Sequence, residues 1–416
     1  MPHLFLCLKK EKKLNQTTIK IIDKPCGSGK TTTLINGFNN SEKYLVIVTL
    51  LSEVDRVIAQ SKRVPFVQPD DTNSTKYVDL EEQLVLGSNI VSTHEMYEKL
   101  VPLAKAGLLD DYNIIIDEVP DTVQSVATKS STSIKEFYLD TGYMEIDEVS
   151  GLIKPTQKWI ERQELVSDTL SAEILRAAMS GCLYLQGNEM FVWALPTTIL
   201  NAGKSLTVLT YKSEGSMFLS YLRKLQLPFE IEVDEDLEAE FLKEAADLIT
   251  IRGIPALSNR KLSYTGQKKG QKSSTYVTKI NSALKNLRER KLKDVDIKDI
   301  LITCKKDAWL EENKNKDAKP GVFAKNSRLS KALWIANTTR GTNDYAHCSH
   351  LIYLYDQHPN QYLTRWLGDS SKKFADQYAL TELVQWVWRS RIRKGEPITL
   401  YLPCPRMKKL FEEWLN

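Results

Sequence analysis

Apolar residues fall in short runs, each leading through a polar turn into a stretch with helical spacing. In the first half, Ile19, Ile21 and Ile22 form a strand that runs into a glycine turn, and Thr31–Leu34 begin a helix. Leu45–Val48 passes through Thr49 and Ser52 into another helix. Asn89–Tyr97 repeats the pattern with Thr93 and His94 at the strand's end, and Tyr112–Asp121 carries three consecutive isoleucines that predict a fully buried strand. Ser205–Ser216 reads as a core strand and polar turn with the helix MFLSYLRKL behind it. Residues 121–203 are less regular, with polar loop, a helix around Thr169–Met179 and a hairpin over Cys182–Leu195 turning at Gly187 and Asn188. The second half resumes with strands in Asp299–Trp309, Ala332–Tyr345 and His350–Asp356, and closes on ITLYLP and the helix MKKLFEEWL. Before that close, Leu380, Leu383, Val384 and Val387 form an apolar stripe that predicts one helix from Leu380 to about Lys394, stopped by Gly395 and Pro397. On such a helix Gln385, Arg389 and Arg393 share the opposite face, and Arg391 continues the stripe. Strands alternating with helices in both halves predict two α/β units with parallel sheets.

Composition narrows this picture. A chain of 416 residues suits two domains, and 42% hydrophobic with 26% charged residues is the balance of a soluble globular protein. No apolar run approaches membrane-helix length, and the N-terminal HLFLCL is too short for a signal peptide and is followed by lysines, so a cytoplasmic protein with no membrane partner is expected. Six cysteines are scattered without a CxxC pair, which fits a reducing compartment, and His347, Cys348 and His350 are too crowded for a tetrahedral metal site. The charge is uneven: Glu230–Asp247 holds nine acids against one base, and Arg252–Lys293 holds twelve bases against one acid. The basic segment is either a localised polyanion contact or a solvated connector.

The chemistry centres on KPCGSGKT, a glycine-rich turn between strand and helix. Backbone N–H groups of Gly27, Ser28, Gly29 and the following residues, Thr32 included, would cradle phosphate. Lys30 would reach the β/γ-phosphates and Thr31 a Mg²⁺ ion. The strict pattern has glycine where this chain has Lys24. Adjacent carboxylates at the tip of a buried strand, Asp117 and Glu118, are costly unless a cation or a proton transfer uses them. Asp117 would complete the Mg²⁺ site with Thr31, and Glu118 would polarise the attacking water. A plain turn is the bland alternative in each case, and a buried isoleucine strand argues against it.

The ordered set resembles superfamily 2 helicases: KPCGSGKT as motif I, LVIVTLLSE as Ia, NIVSTHEMY as the next nucleic-acid motif, IIIDEVP as motif II, LTVLTYKSEGS as III, ANTTRGTNDY as V and QWVWRSRIR as VI. The wording of the last two is most similar to compact helicases of phages and mobile elements. Trp388 replaces the first glycine of motif VI, and Gln16 is a poor match to an adenine-reading motif. The resemblance implies two RecA-like domains with ATP between them: residues 1–225 as domain 1 with an insertion at about 121–203, an acidic then basic connector at 226–295, and domain 2 at 296–416. It implies that Gln385 with Arg389 or Arg393 contacts the γ-phosphate, and that Thr49, Thr93, His94 and Arg340 touch a nucleic-acid backbone. ATP and Mg²⁺ are the implied cofactors. The implied partner is single-stranded or forked DNA, with RNA as the alternative, alongside replication or recombination proteins, and the chain is expected to act as a monomer. A duplex remodeller without strand separation and an ATP-switched origin-binding or loading factor are the competing readings.

Overall fold

The computed structural model describes residues 18–72, 75–97, 99–126, 134–161, 169–187, 190–312, 318–339 and 341–416. Cys7, Gln16, Asn188 and Arg340 lie outside the described residues.

The strands in chain order are β1 (Ile19–Asp23), β2 (Lys43–Val48), β3 (Phe66–Val67), β4 (Asn89–Thr93), β5 (Tyr112–Asp117), β6 (Val123–Val126), β7 (Met144–Ile146), β8 (Ile153–Pro155), β9 (Leu183–Gln186), β10 (Met190–Ala194), β11 (Ser205–Thr210) and β12 (Phe229–Val233). They continue as β13 (Ile249–Arg252), β14 (Ile300–Thr303), β15 (Leu310–Glu312), β16 (Ala318–Pro320), β17 (Leu333–Trp334), β18 (His350–Tyr353) and β19 (Ile398–Tyr401). Seven strands form a first sheet in the order β12-β1-β11-β5-β2-β4-β3, and five form a second in the order β13-β19-β18-β14-β17. Every pairing within both sheets is parallel. The fold is α/β with two RecA-like units and a cleft between them. Parallel strands buried on both faces need continuous apolar runs, and Ile114, Ile115 and Ile116 supply one at the centre of the first sheet, each at most 5% exposed.

Between β5 and β11 the chain leaves the first sheet and builds an antiparallel sheet β6-β10-β9 and the hairpin β7-β8. This insertion has its own apolar cluster around Trp159, Ile174 and Phe191.

The segment expected to be a connector, 226–295, is regular structure. Its start is β12, which lies beside β1, and the acidic run is the helix Glu235–Leu248, begun by Asp234, whose carboxylate accepts from the Leu237 N–H at 3.1 Å. Three acids in that helix's first turn favour it electrostatically. The basic run forms the helices Tyr264–Gly270 and Ser274–Arg290, which bury Gln267, Ile280, Leu284 and Leu287 and expose their lysines. Charge counting saw the solvated face and missed the apolar residues at helical spacing beneath it.

The two units exchange side chains. Tyr211, just past β11, is buried in the second unit's core and meets Phe241 edge-on at 5.5 Å. In return, the helix Gln361–Leu367 sends Leu363, Trp366 and Leu367 into the first unit's core, where Trp366 packs on Tyr184 and Tyr221 at 5.0 and 5.9 Å. The turn Lys212–Ser216 lies against the helix Lys372–Val387 with no room to spare: a Cβ on Gly215 would stand 2.2 Å from Thr381 Oγ1 and 2.4 Å from the Gln377 carbonyl oxygen. Because that neighbour is helix backbone, Gly215→Ala is expected to destabilise the protein by about 1–3 kcal/mol. Denaturant unfolding measures this, and a variant as stable as the parent would show that the contact yields.

Candidate active site

The cleft's first wall is the turn after β1. Gly27 and Gly29 take φ of +83° and +75°, which L side chains resist, so the chain turns sharply before the helix Lys30–Asn36. Lys30 Nζ donates to the carbonyls of Lys24 and Pro25 at 2.8 and 3.0 Å, folding the ammonium over the turn where phosphate oxygens would replace them. Thr31 Oγ1 donates to Asp117 Oδ2 at 2.8 Å. Burial and the neighbouring Glu118 charge push the Asp117 carboxyl up to about 6, against the lowering effects of Thr31, Lys30 and Arg56. Glu118 itself adopts φ +68°, a left-handed conformation that costs a non-glycine residue about 1–3 kcal/mol, while its N–H remains bonded to the Leu209 carbonyl at 3.0 Å. The strain turns the chain out of β5 at the point where its carboxylate enters the cleft.

The second wall comes from the other unit. Gln385, Trp388, Arg389 and Arg393 line the same cavity of about 280 Å³ as Gly27–Thr32, Thr49, Asp117 and Glu118. Arg389 is buried, and the Gln385 side-chain N–H donates to the Tyr211 carbonyl at 3.4 Å while its Oε1 is buried with no hydrogen-bond partner among the described residues. Arg393 donates to Asn343 Oδ1. Gly341, at φ +79°, approaches Thr49 so closely that a Cβ would lie 2.2 Å from its Oγ1, so the units touch at the cavity's edge.

The expected long helix is not continuous. It ends at Val387, because Ser390 takes extended backbone and its hydroxyl donates to the Val387 carbonyl at 2.7 Å; a short 3-10 turn over Arg391–Lys394 follows. Arg391 therefore leaves the apolar stripe, and its Nε donates to the Pro397 carbonyl at 2.6 Å. The helix has no solvent-facing polar side over Thr381–Val387, since every residue there is buried, Leu383, Val384, Trp386 and Val387 in the second unit's core. Gln385, Arg389 and Arg393 nevertheless reach one cavity, by a break in the helix and not by i, i+4 spacing.

The expected strand-contact residues divide. Thr49 and His94 line a second cavity of about 570 Å³, with Thr338 from the second unit and Gln124 and Trp193 from the insertion. His94 Nε2 is 3.3 Å from the Asp117 carbonyl oxygen. Thr93 ends β4 and lines neither cavity. The second cavity's lining includes Glu95, Asp121 and Glu382 but no lysine or arginine among the described residues, so phosphate is poorly matched there. Of the hairpin aromatics, Phe191 is core, Tyr184 packs on Trp366, and Trp193 faces the cavity.

Sequence reasoning missed three groups. Arg56 sits 3.9 Å from Asp117 Oδ2 and 2.7 Å from Glu53, and both line the first cavity. Their i, i+3 spacing on the helix after Thr49 was the available signal. Asp23, at the end of β1, accepts from the Lys212 and Ser213 N–H groups at 2.8 and 2.7 Å and so fixes the turn that meets the second unit.

The residues suit a Mg²⁺ ion shared with phosphate: a hydroxyl and a buried carboxylate already in contact, both hard oxygen donors, with room beside them for water and phosphate. The raised Asp117 carboxyl also gives a test. Between its unfolded value near 3.8 and about 6 the folded state holds the extra proton, so stability falls as pH rises through that window. Asp117→Asn, without nucleotide or metal, should raise stability at pH 7.5 by up to about 3 kcal/mol, with the gain vanishing toward pH 4. Thermal melts across pH 4–8 measure it, and a variant less stable at pH 7.5 than at pH 4, relative to parent, would contradict the burial argument.

Residues 243–415 match the family described as the YonV C-terminal Rossmann-like domain. Over 420 residues the chain is 24% identical to the SPbeta prophage-derived uncharacterized protein YonV of Bacillus subtilis (strain 168), covering 96% of this chain and 98% of that one. Among solved structures it is similar to XPD in an apo form, at TM-score 0.49 and 13% identity over 96% of both chains. It is also similar to Saccharomyces cerevisiae Dbp5 bound to RNA and ADP BeF3, at TM-score 0.34 and 10% identity over 96% of this chain and 83% of that one.

Proposed function

We propose that the chain hydrolyses a nucleoside triphosphate, ATP in the first instance, in the cleft between its two units, and uses the cycle to move along and separate nucleic-acid strands. The observation that supports this most is the joint cavity: Lys30, Thr31, Asp117 and Glu118 from one unit face Gln385, Arg389 and Arg393 from the other. A bound Mg²⁺, held by Thr31 and Asp117, would neutralise phosphate charge. Lys30 would exchange its two backbone carbonyls for phosphate oxygens, Glu118 would orient a water, and the arginines would meet charge developing on the transferring group. Since the arginines sit on the second unit, hydrolysis would report to that unit's position.

We place the nucleic acid on the exposed lysines of the helices Tyr264–Gly270 and Ser274–Arg290, with Thr49, Thr93, His94 and Arg340 as further candidate contacts. Domain 1 would then run to about residue 234, and domain 2 from the acidic helix onward. The relative YonV is prophage-derived, in keeping with a mobile-element role; replication or recombination as the process, and action as a monomer in the host cytoplasm, are part of this proposal. Unwinding of forked DNA and RNA, run beside single-strand-stimulated ATPase, tests the reading. ATPase without unwinding would favour a translocase that leaves strands paired, and no hydrolysis of any triphosphate would remove the enzyme reading.

Alanine at Arg389 or Arg393 should lower kcat by up to about 10³–10⁵ with nucleotide affinity largely kept, and Glu118→Gln should bind MgATP and stall. Arg391→Ala should turn over near the parent rate, since the Arg391 side chain donates to the Pro397 carbonyl and does not line the cavity. Pre-steady-state phosphate release decides among them; the greatest loss at Arg391 would invert the assignment.

Replacing Lys268, Lys269 and Lys272 together with glutamine should flatten the slope of log K against log salt for single-strand binding, because each phosphate contact releases counterions. An unchanged slope would return these lysines to plain solvation.

A further inference from the structure

The hydrolytic cavity holds an arginine besides Arg389 and Arg393. Arg56 stands on the helix Leu51–Gln60, and it lines the cavity from the first unit together with Glu53 of the same helix. Its Nη2 lies 2.7 Å from Glu53 Oε2 and 3.9 Å from Asp117 Oδ2, the oxygen that also accepts from the Thr31 hydroxyl at 2.8 Å. Val54 and Val57, its neighbours on the helix, are buried and anchor this turn to the first unit.

Glu53, Asp117 and Glu118 bring three carboxylates to this part of the cavity. Of the first unit's two cations among the lining residues, Lys30 is turned to the Lys24 and Pro25 carbonyls, so Arg56 is the counter-ion beside Asp117. A guanidinium and a Mg²⁺ ion compete for such an oxygen, because two cations held at one carboxylate repel each other. Glu53 keeps the arginine paired if Asp117 is taken from it. Arg56 Nε is buried with no hydrogen-bond partner among the described residues, and a donor left unpaired is costly, so a small movement of the guanidinium has something to gain.

We propose that Arg56 is the resident counter-ion of the metal site: it neutralises Asp117 in the absence of metal and gives way, still paired to Glu53, when Mg²⁺ enters with the nucleotide. The inference rests on the nucleotide reading of the cleft and adds the regulation of its metal step. The consequence lies at the other end of the helix. Leu50 directly precedes Leu51, and a Cβ on Gly341 of the second unit would stand 3.0 Å from Thr49 Cβ and 3.3 Å from Leu50 Cγ. A shift of this helix on release of Arg56 would therefore press on the second unit in the same step that fills the metal site.

Calorimetric titration of the full chain with ADP, once in Mg²⁺ and once in EDTA, tests this without hydrolysis. Arg56→Ala should bind ADP about three- to tenfold more weakly than the parent in EDTA, because Asp117 then faces the phosphates bare, and within about twofold of the parent in Mg²⁺. The factor by which Mg²⁺ tightens ADP binding grows accordingly, a change that a merely structural arginine would not produce. Arg56→Gln repeats the neutral substitution with side-chain bulk kept, should alanine lower the thermal melt. A factor unchanged in the folded neutral variant, or a loss larger in Mg²⁺ than in EDTA, would overturn the counter-ion role while leaving the phosphate site standing. Failure of the parent to bind ADP in either buffer would overturn the nucleotide reading itself, and this inference with it.

Discussion

The cleft depends on one close contact, the turn Lys212–Ser216 against the helix Lys372–Val387. Gly215 lets backbone meet backbone there, and the Thr381 hydroxyl donates to the Lys212 carbonyl at 3.1 Å. The turn is in turn fixed by Asp23 at the end of the phosphate-loop strand. A short chain of contacts therefore runs from β1 through the turn to the helix that carries Gln385 and leads to Arg389. Buried backbone packed this tightly transmits small displacements poorly as deformation and well as rigid shifts, which is what a cleft that closes on a ligand needs.

Much of this was legible because its causes are local. A β-branched run, two glycines that can take positive φ, and lysine and threonine at the start of a helix define the strand, the turn and the helix wherever the rest of the chain goes. Three isoleucines and two acids likewise placed Asp117 at a strand tip. What could not be read depends on distant partners. Arg389 and Arg393 reach the cavity beside the glycine turn by a route other than helical spacing, since the helix that spacing predicts stops at Val387. The acidic and basic stretches looked like solvated connector because charge dominates their composition, yet Leu284 and Leu287 beneath the lysines are core. The strain at Glu118 and the role of Asp23 arise from tertiary contacts and left no pattern in the chain.

The acidic helix changes how the departures from the helicase pattern are understood. Lys24 costs the loop a glycine but pairs with Asp234 at the start of the acidic helix, and Trp388, which replaces another glycine in the last motif, lines the slot between that helix and the loop. Substitutions that weaken a motif match thus serve a wall built from the second unit. The exchange of Tyr211 and Trp366 between the cores holds the units together on either side of that wall, so closure would be a pivot about fixed pins and not a free approach of two bodies.

The central claim is that the terminal phosphate is gripped from both units at once. Hydrogen–deuterium exchange of the full chain with Mg²⁺, comparing ADP with a non-hydrolysable ATP analogue, addresses it directly. The triphosphate should protect both Gly27–Thr32 and Gln385–Lys394, whereas ADP should leave the second segment's outer arginine turn exchanging more freely. Protection confined to the phosphate loop in both states would contradict the account.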